Sequence, residues 1–412
     1  MALSAHQTEI IRSTAPVLQQ YGNDITTVFY RNLIRDVPAL NNIFNRTNQV
    51  NGEQPRALAQ ALFAYATHIT DLGVLSLAIE RIAQKHVSLG VEPAQYDVVG
   101  KYLLAAMGEV LGDALTDDIL DAWAAAYTQL ANVFIEKETK LYEETNGWAG
   151  WREFKIKEKI QESENITSFY LLPVDGAKLP SFYPGQYVSL RVRIPDFGYL
   201  QPRQYSLSEA PNSEYYRLSI KRERTLDPEH PCSFAHHGMV SNVMHDEKSV
   251  GDVIELTHPH GEFFLDTSKP RIAPVVLMSV GVGLTPMISI LNALLGSESP
   301  AKISWINGTK STEQHAFGKH VHAICQAHDN FHSTLFKSVI VETDEHGVDY
   351  HFDMRIDLNK VHADSDLFLS SNETDYFICG PEHFMAQSAD FLRKNGVENG
   401  RIHLELFGTG SI

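Results

Sequence analysis

Apolar residues recur every three or four positions through the first 145 residues and mostly every second position after that. Leu58, Leu62, Tyr65 and Ile69 form one helical stripe, with Pro55 suited to that helix's first turn. Leu75, Ile79, Ile82, His86 and Leu89 form a second, and Leu103, Ala106 and Val110 a third. A long last helix carries Leu120, Trp123, Tyr127, Leu130, Phe134, Glu138 and Leu141. The run Asn146 to Trp151, NGWAGW, then breaks the pattern and reads as a linker. Beyond it Phe154, Ile156, Phe169, Leu171, Val188, Leu190, Val192, Leu218 and Ile220 alternate with polar residues, which predicts a small antiparallel barrel. From Val275 to Val280 the chain is continuously apolar, as a central parallel strand should be, and a glycine turn and the helix Met287 to Leu295 follow. The expectation is an all-α unit over 1–147, a β-barrel over 148–268 and an α/β unit over 269–412.

Two polar residues sit on stripes that should face a core. His86 is either a core histidine bonded to a carbonyl or a metal ligand, since a buried imidazole needs a partner. Glu138, between Phe134 and Leu141, is either solvated near a helix end or buried and paired. The two could satisfy each other, because a metal-bound histidine donates its remaining N–H to an outer acceptor, and Tyr96 could complete the network. Tyr30, in the pattern Ile25, Val28, Phe29, Leu33, borders a core face. It reads equally as an interfacial tyrosine or as a donor into a pocket.

Composition narrows the function classes. A chain of 412 residues has room for two or three domains, and 43% hydrophobic with 21% charged residues is ordinary for a soluble protein. A net charge of −17 argues against nucleic acid or an anionic membrane as partner. Cys232, Cys325 and Cys379 lie far apart without a C-x-x-C pair, which fits a reducing compartment. The lack of C-x-x-C-H means that any haem is held without thioether links. Ile272 to Ser297 lacks charge, but Pro274, Gly281, Gly283 and Pro286 break it into strand, turn and helix. The N-terminus, MALSAHQTEI, shows no targeting pattern, so a cytoplasmic address is expected. His230, Cys232, His236 and His237, in the run 222–237, match no zinc spacing and read as a surface insertion.

Several runs carry a family resemblance. IFNRTNQVNGEQ (43–54), QKH (84–86) and ANVFIEKE (131–138) resemble the globin domain of the flavohaemoglobins, and the resemblance continues through essentially all 412 residues. By position it implies His86 as the proximal ligand of haem iron, next to Lys85. Tyr96 and Glu138 are the partners that make the histidine imidazolate-like. Tyr30, Phe44, Gln54 and Leu58 lie on the ligand-binding face. Arg203-Gln204-Tyr205-Ser206 resembles the motif of ferredoxin-reductase-like FAD domains, with arginine on pyrophosphate, tyrosine on the isoalloxazine and serine at the flavin N5 edge. Pro184-Gly185-Gln186-Tyr187 stands upstream, and downstream Gly238, Val240 and Ser241 open a helix for the pyrophosphate.

In the last unit Gly281-Val282-Gly283-Leu284-Thr285-Pro286 resembles the reductase turn G-[VT]-G-x-T-P. Cys379-Gly380-Pro381 resembles the second NAD(P)H motif. Phe407 resembles the aromatic that covers the flavin, although Thr409 stands where the family has proline. The resemblance implies haem b, FAD and NADH or NADPH as cofactors, and nitric oxide dioxygenase activity. NAD(P)H electrons pass through FAD to haem, whose ferrous-oxy form converts NO and O2 to nitrate. Neither a ribose-binding acid nor an arginine follows Ile303 to Ile306, and Lys310 is compatible with NADPH, so the choice of dinucleotide stays open. The rival readings are an O2- or NO-binding sensor whose reductase only keeps iron ferrous, and a general NAD(P)H-dependent reductase or peroxidase. A monomer is expected, with a dimer left open and no stable membrane association.

Overall fold

The structure, a computed structural model, describes residues 3–145, 147–148, 150–195, 197–223, 238–268, 270–297 and 299–408. The histidine- and cysteine-containing part of the 222–237 run lies outside the described residues. Helix α1 (Ala5–Asp36) opens with a capping box, Ser4 Oγ accepting from Gln7 N at 3.1 Å and Gln7 Oε1 accepting from Ser4 N at 3.0 Å. A 3₁₀ turn (Pro38–Asn42) leads to α2 (Arg46–Val50), α3 (Glu53–Thr67), α4 (Ser76–Leu89), α5 (Pro93–Leu111) and α6 (Asp117–Glu143). Ile11, Ile25, Phe29 and Leu33 of α1 pack with Leu62 and Tyr65 of α3, Leu103 and Met107 of α5, and Trp123 of α6. At Gly100 a Cβ would lie 2.4 Å from the Tyr127 ring, so α5 and α6 approach this closely only through glycine.

Three expected stripes need correction. Leu75 belongs to a 3₁₀ turn (Leu72–Leu75) ahead of α4, Ile69 lies past the end of α3, and Leu120 is exposed. The closely packed positions of α4 are Ala83, Gln84, Val87 and Ser88, while Ile79, Ile82, His86 and Leu89 are only half-buried. The helix is held most tightly on another face, while Ile79 and Ile82 pack at the edge of the cluster around Phe134 and Leu141 of α6.

The second unit contains β1 (Arg152–Gln161), β2 (Ile166–Pro173), β3 (Tyr187–Arg193), β4 (Leu200–Ser206), β5 (Tyr216–Lys221), the short α7 (Met239–Asn242) running on into a π-helical turn (Val243–Glu247), and β6 (Val253–Leu256). The strands form one antiparallel sheet in the order β4-β3-β6-β1-β2-β5. A bridge between Leu207 and Leu218 joins the outer strands and closes it into the expected barrel. The alternating residues Phe154, Ile156, Phe169, Leu171, Val188, Leu190, Val192, Leu218 and Ile220 all point into its core.

The third unit is a five-stranded parallel sheet in the order β11-β10-β7-β8-β9, built from β7 (Val275–Val280), β8 (Ile303–Thr309), β9 (Phe331–Lys337), β10 (Asp375–Cys379) and β11 (Ile402–Glu405). It is flanked by α8 (Leu284–Gly296), α9 (Gly318–Ala327) and α10 (Glu382–Lys394). The glycine turn after β7 is shorter than expected, because α8 starts at Leu284 and takes Thr285 and Pro286 into its first turn, and β8 runs past Ile306 to Thr309. Among the described residues no helix is long and apolar enough to cross a membrane.

A polar seam ties α4 to the barrel. Ser189 Oγ donates to Ser88 Oγ (3.1 Å), Gly261 N donates to Gln84 Oε1 (3.1 Å), and Arg81 Nε donates to Glu262 (2.7 Å). The helix that carries His86 is thereby fixed to the second unit on one side and to α6 on the other.

Candidate functional site

His86 Nδ1 lies 2.7 Å from Glu138 Oε1 and 2.9 Å from the Tyr96 hydroxyl, which itself donates to the same carboxylate oxygen at 2.5 Å. Glu138 is 2% exposed, and its side chain accepts from no other hydrogen-bond donor among the described residues, so its charge is stabilised by these two. An ionised carboxylate only accepts, which places the imidazole proton on Nδ1 and leaves the lone pair on Nε2. Among the described residues every hydrogen bond of His86 runs through Nδ1, so Nε2 is the ring's open nitrogen. Burial and the neighbouring carboxylate push the Tyr96 hydroxyl well above the usual phenol range. Tyr127 donates to the Tyr96 carbonyl at 2.6 Å and holds the start of α5 in place. Lys85 directly precedes His86 on α4; burial lowers its ammonium, and the Glu405 carboxylate opposes that shift.

Tyr30, Phe44 and Leu58 belong to a different apolar cluster from Tyr96 and Phe134, and Tyr127 and Leu130 pack against both. The Tyr30 ring meets Phe29 edge-on at 4.7 Å and Phe44 at 5.4 Å. Burial pushes its hydroxyl up to about 12, partly offset by a hydrogen bond with the Gln54 side chain. The structure thus brings Tyr30, Phe44, Gln54 and Leu58 into one neighbourhood from α1, α3 and the segment between them.

On β4, Arg203 is deeply set, and burial lowers its guanidinium to about 10, with Tyr205 working weakly the other way. It donates to the Pro202 carbonyl (2.7 Å) and Thr47 Oγ1 (3.3 Å), and no carboxylate pairs with it among the described residues. A half-buried fork without an anion fits a pyrophosphate. Ser206 is 4% exposed, and its hydroxyl has no partner among the described residues. An orphaned buried hydroxyl is costly unless a ligand satisfies it, as the N5 edge of a flavin would. Tyr187 and Tyr205 are both raised by burial, and Gly261 (φ 120°) packs against the Tyr187 ring.

Three side chains of these motifs also have partners within the chain. Gln204 Nε2 donates to Ser189 Oγ (3.0 Å), and Ser241 Oγ donates to the Gly238 carbonyl (2.9 Å). The Val240 side chain is in the barrel core. What Gly238 to Ser241 can still offer a phosphate is backbone N–H. Glycine is needed at 238 because a Cβ would lie 2.4 Å from Ser241 Oγ.

In the third unit Gly281 takes a φ of 57° with open space around it, whereas a Cβ on Gly283 would lie 2.3 Å from the Cys379 carbonyl oxygen. Gly283 therefore serves close packing between the two glycine motifs, and brings Gly380 and Pro381 beside the first turn of α8. Thr285 Oγ1 donates to the Val282 carbonyl (3.0 Å) and braces that turn. Cys379 is fully buried and its thiol is pushed up, so it is a small strand-end residue and not a reactive thiolate. Phe407 is 47% exposed. Glu405, which pattern reading passed over, is paired in register with Cys379, and burial together with Glu262 raises its carboxyl to about 8. Its sequence signal was a carboxylate between two leucines, Leu404 and Leu406.

Comparison with known proteins agrees with this division. Residues 27–134 match the globin family, 153–265 the oxidoreductase FAD-binding domain and 277–390 the oxidoreductase NAD-binding domain. The chain is 43% identical to the flavohemoprotein of Bordetella pertussis over 100% of both chains, and 44% identical to that of Rhizobium meliloti over 97% of each. It belongs to the flavohaemoglobin family. Its cofactors are accordingly haem, FAD and a nicotinamide dinucleotide. A crystal structure of flavohemoglobin from Malassezia yamatoensis with bound FAD and heme superposes with a TM-score of 0.85 at 28% identity, covering 99% of this chain and 100% of that one. The FAD/NAD-binding domain of a Vibrio cholerae nitric oxide dioxygenase matches 62% of this chain and 98% of its own, at 33% identity and a TM-score of 0.52. As a flavohaemoglobin, the chain holds residues that suit its two prosthetic groups: an open imidazole nitrogen for haem, and a half-buried guanidinium without a carboxylate and an orphaned hydroxyl for FAD.

Proposed function

We propose that this flavohaemoglobin is a nitric oxide dioxygenase, using NAD(P)H electrons to turn NO and O2 into nitrate. The observation that carries the reading is the single Glu138 oxygen shared by His86 Nδ1 and Tyr96. A carboxylate drawing on the imidazole proton makes Nε2 a strong electron donor, which oxygen activation needs and simple ligand storage does not. When bound, flavin and haem supply the step from two-electron to one-electron chemistry and the iron on which NO and O2 meet.

The chain's residues take the remaining roles. His86 Nε2 would hold the iron, and the Tyr30 hydroxyl with the Gln54 amide would donate to negative charge on a bound diatomic. Phe44 and Leu58 would limit the pocket to small ligands. Arg203 would neutralise the FAD pyrophosphate, Ser206 would donate at the flavin, and the Gly281–Pro286 and Cys379–Pro381 turns would seat the dinucleotide. A cytoplasmic setting rests on the sparse cysteines, Cys325 and Cys379 being free. Stopped-flow mixing of the reduced holoprotein with NO tests the proposal. Fast, oxygen-dependent consumption with one nitrate formed per NO supports it, whereas slow loss with nitrous oxide as product makes the protein a reductase.

A further inference from the structure

Gln201 lies on β4 two residues before Arg203, is 0% exposed, and uses its whole amide on the helical unit and its own strand. Its Oε1 accepts from Arg46 N at 2.9 Å. Its Nε2 donates to the carbonyls of Asn41 (2.7 Å), Phe44 (3.2 Å) and Leu200 (3.0 Å). Two neighbouring bonds run the same way: Leu200 N donates to Asn42 Oδ1 (2.9 Å) and Arg203 Nη2 to Thr47 Oγ1 (3.3 Å). The segment so held, Asn41 to Thr47, carries Phe44, whose ring leans edge-on against Tyr30. Side chains alternate along a strand, so Gln201, Arg203 and Tyr205 share one face of β4. The same short strand therefore grips the flavin's candidate phosphate and aromatic contacts and the backbone of the distal phenylalanine.

We infer that Gln201 is a positioning residue that couples the flavin site to the distal ligand pocket, by clamping the Phe44 segment onto the FAD-binding strand. FAD seated on Arg203 and Tyr205 orders β4. Through the Gln201 amide that order passes to the Phe44 carbonyl and keeps the Phe44 ring over Tyr30, which narrows the space for a diatomic ligand. A polar side chain buried at such a junction is expensive unless fully bonded, and this one is fully bonded across the boundary. The inference rests on the family's two prosthetic groups and not on which reaction they serve.

Coupling of this kind is reciprocal, and it is measured as a ratio of affinities. Carbon monoxide titration of the ferrous protein, with FAD loaded and with FAD removed, gives the factor directly. FAD should weaken CO binding by about three- to tenfold, the scale of one net hydrogen bond. CO should weaken FAD binding by the same factor. In Gln201→Leu, which keeps the volume and removes the amide, the factor should fall to about one while haem stays bound. A role confined to stability would leave the factor at its wild-type value. No dependence on FAD in the wild-type protein, or an undiminished factor in Gln201→Leu, overturns the inference. Should that variant not fold, Asn42→Ala releases the adjoining bond to Leu200, along with a local bond from Asn42 Nδ2 to the Ala39 carbonyl, and must still lower the factor; an unchanged value is equally fatal.

Discussion

Glu138→Gln keeps the shape of the side chain beneath His86 and removes its charge. In the wild-type protein one carboxylate oxygen accepts from His86 Nδ1 at 2.7 Å and from Tyr96 at 2.5 Å, in a site where Glu138 is 2% exposed. A hydrogen bond to a charged group is worth about 1.5–3 kcal/mol against about 1 kcal/mol for a neutral one. The substitution therefore weakens the pull on the imidazole proton by roughly 1–2 kcal/mol. That pull makes the histidine a better donor and favours oxidised over reduced iron. With 1.4 kcal/mol equivalent to 59 mV for one electron, the haem midpoint potential should rise by up to roughly 80 mV. Spectroelectrochemical titration of the protein loaded with haem and FAD reads this directly. Tyr96→Phe should move the potential the other way, because Glu138 Oε1 then serves His86 alone. A Glu138→Gln shift below about 10 mV, or a downward one, would refute the electronic role and leave the triad a packing device.

The remaining predictions concern the other groups. His86→Ala should lose haem and retain FAD; an unchanged Soret band with bound haem removes the ligand assignment. Ser206→Ala should slow flavin reduction by NAD(P)H while leaving the haem spectrum intact. It should not lower stability, because the wild-type hydroxyl has no partner among the described residues. Glu405 holds its proton up to about pH 8 when folded, above the ordinary carboxyl value of 4.5. The folded state then binds more protons than the unfolded chain between those values, so stability declines as pH rises through that window. Glu405→Gln should flatten the decline in thermal midpoint between about pH 5 and about pH 9 in FAD-free protein, and an unaltered slope assigns it to another group.

Sequence reading located the parts of the site better than their uses. His86 and Glu138 stood out because polar residues interrupted apolar stripes, yet the stripe with His86 is not the closely packed face of α4. A period of 3.6 reports which residues share a side. It does not report whether that side meets protein or a ligand. The glycine turn 281–286 was visible, but that Gly283 is required by the Cys379 carbonyl became clear only when β7 and β10 lay side by side. Gln204, Val240 and Ser241 fitted a motif by position, and their side chains have partners in the fold that the motif did not reveal.

What the chain order alone determined is whatever short-range pattern encodes: helices to about residue 145, an alternating barrel, a parallel α/β unit, and the runs that carry the family likeness. These depend on neighbours a few positions apart. Tertiary structure decided the rest, because hydrogen bonds and desolvation act between groups remote in sequence. It joined His86 to Glu138 across 52 positions and Gln201 to Phe44 across 157, and among the described residues it left Arg203 without a carboxylate and Ser206 Oγ without a partner. A buried polar group declares its function through what it touches or lacks, and that becomes fixed only once the chain has closed around it.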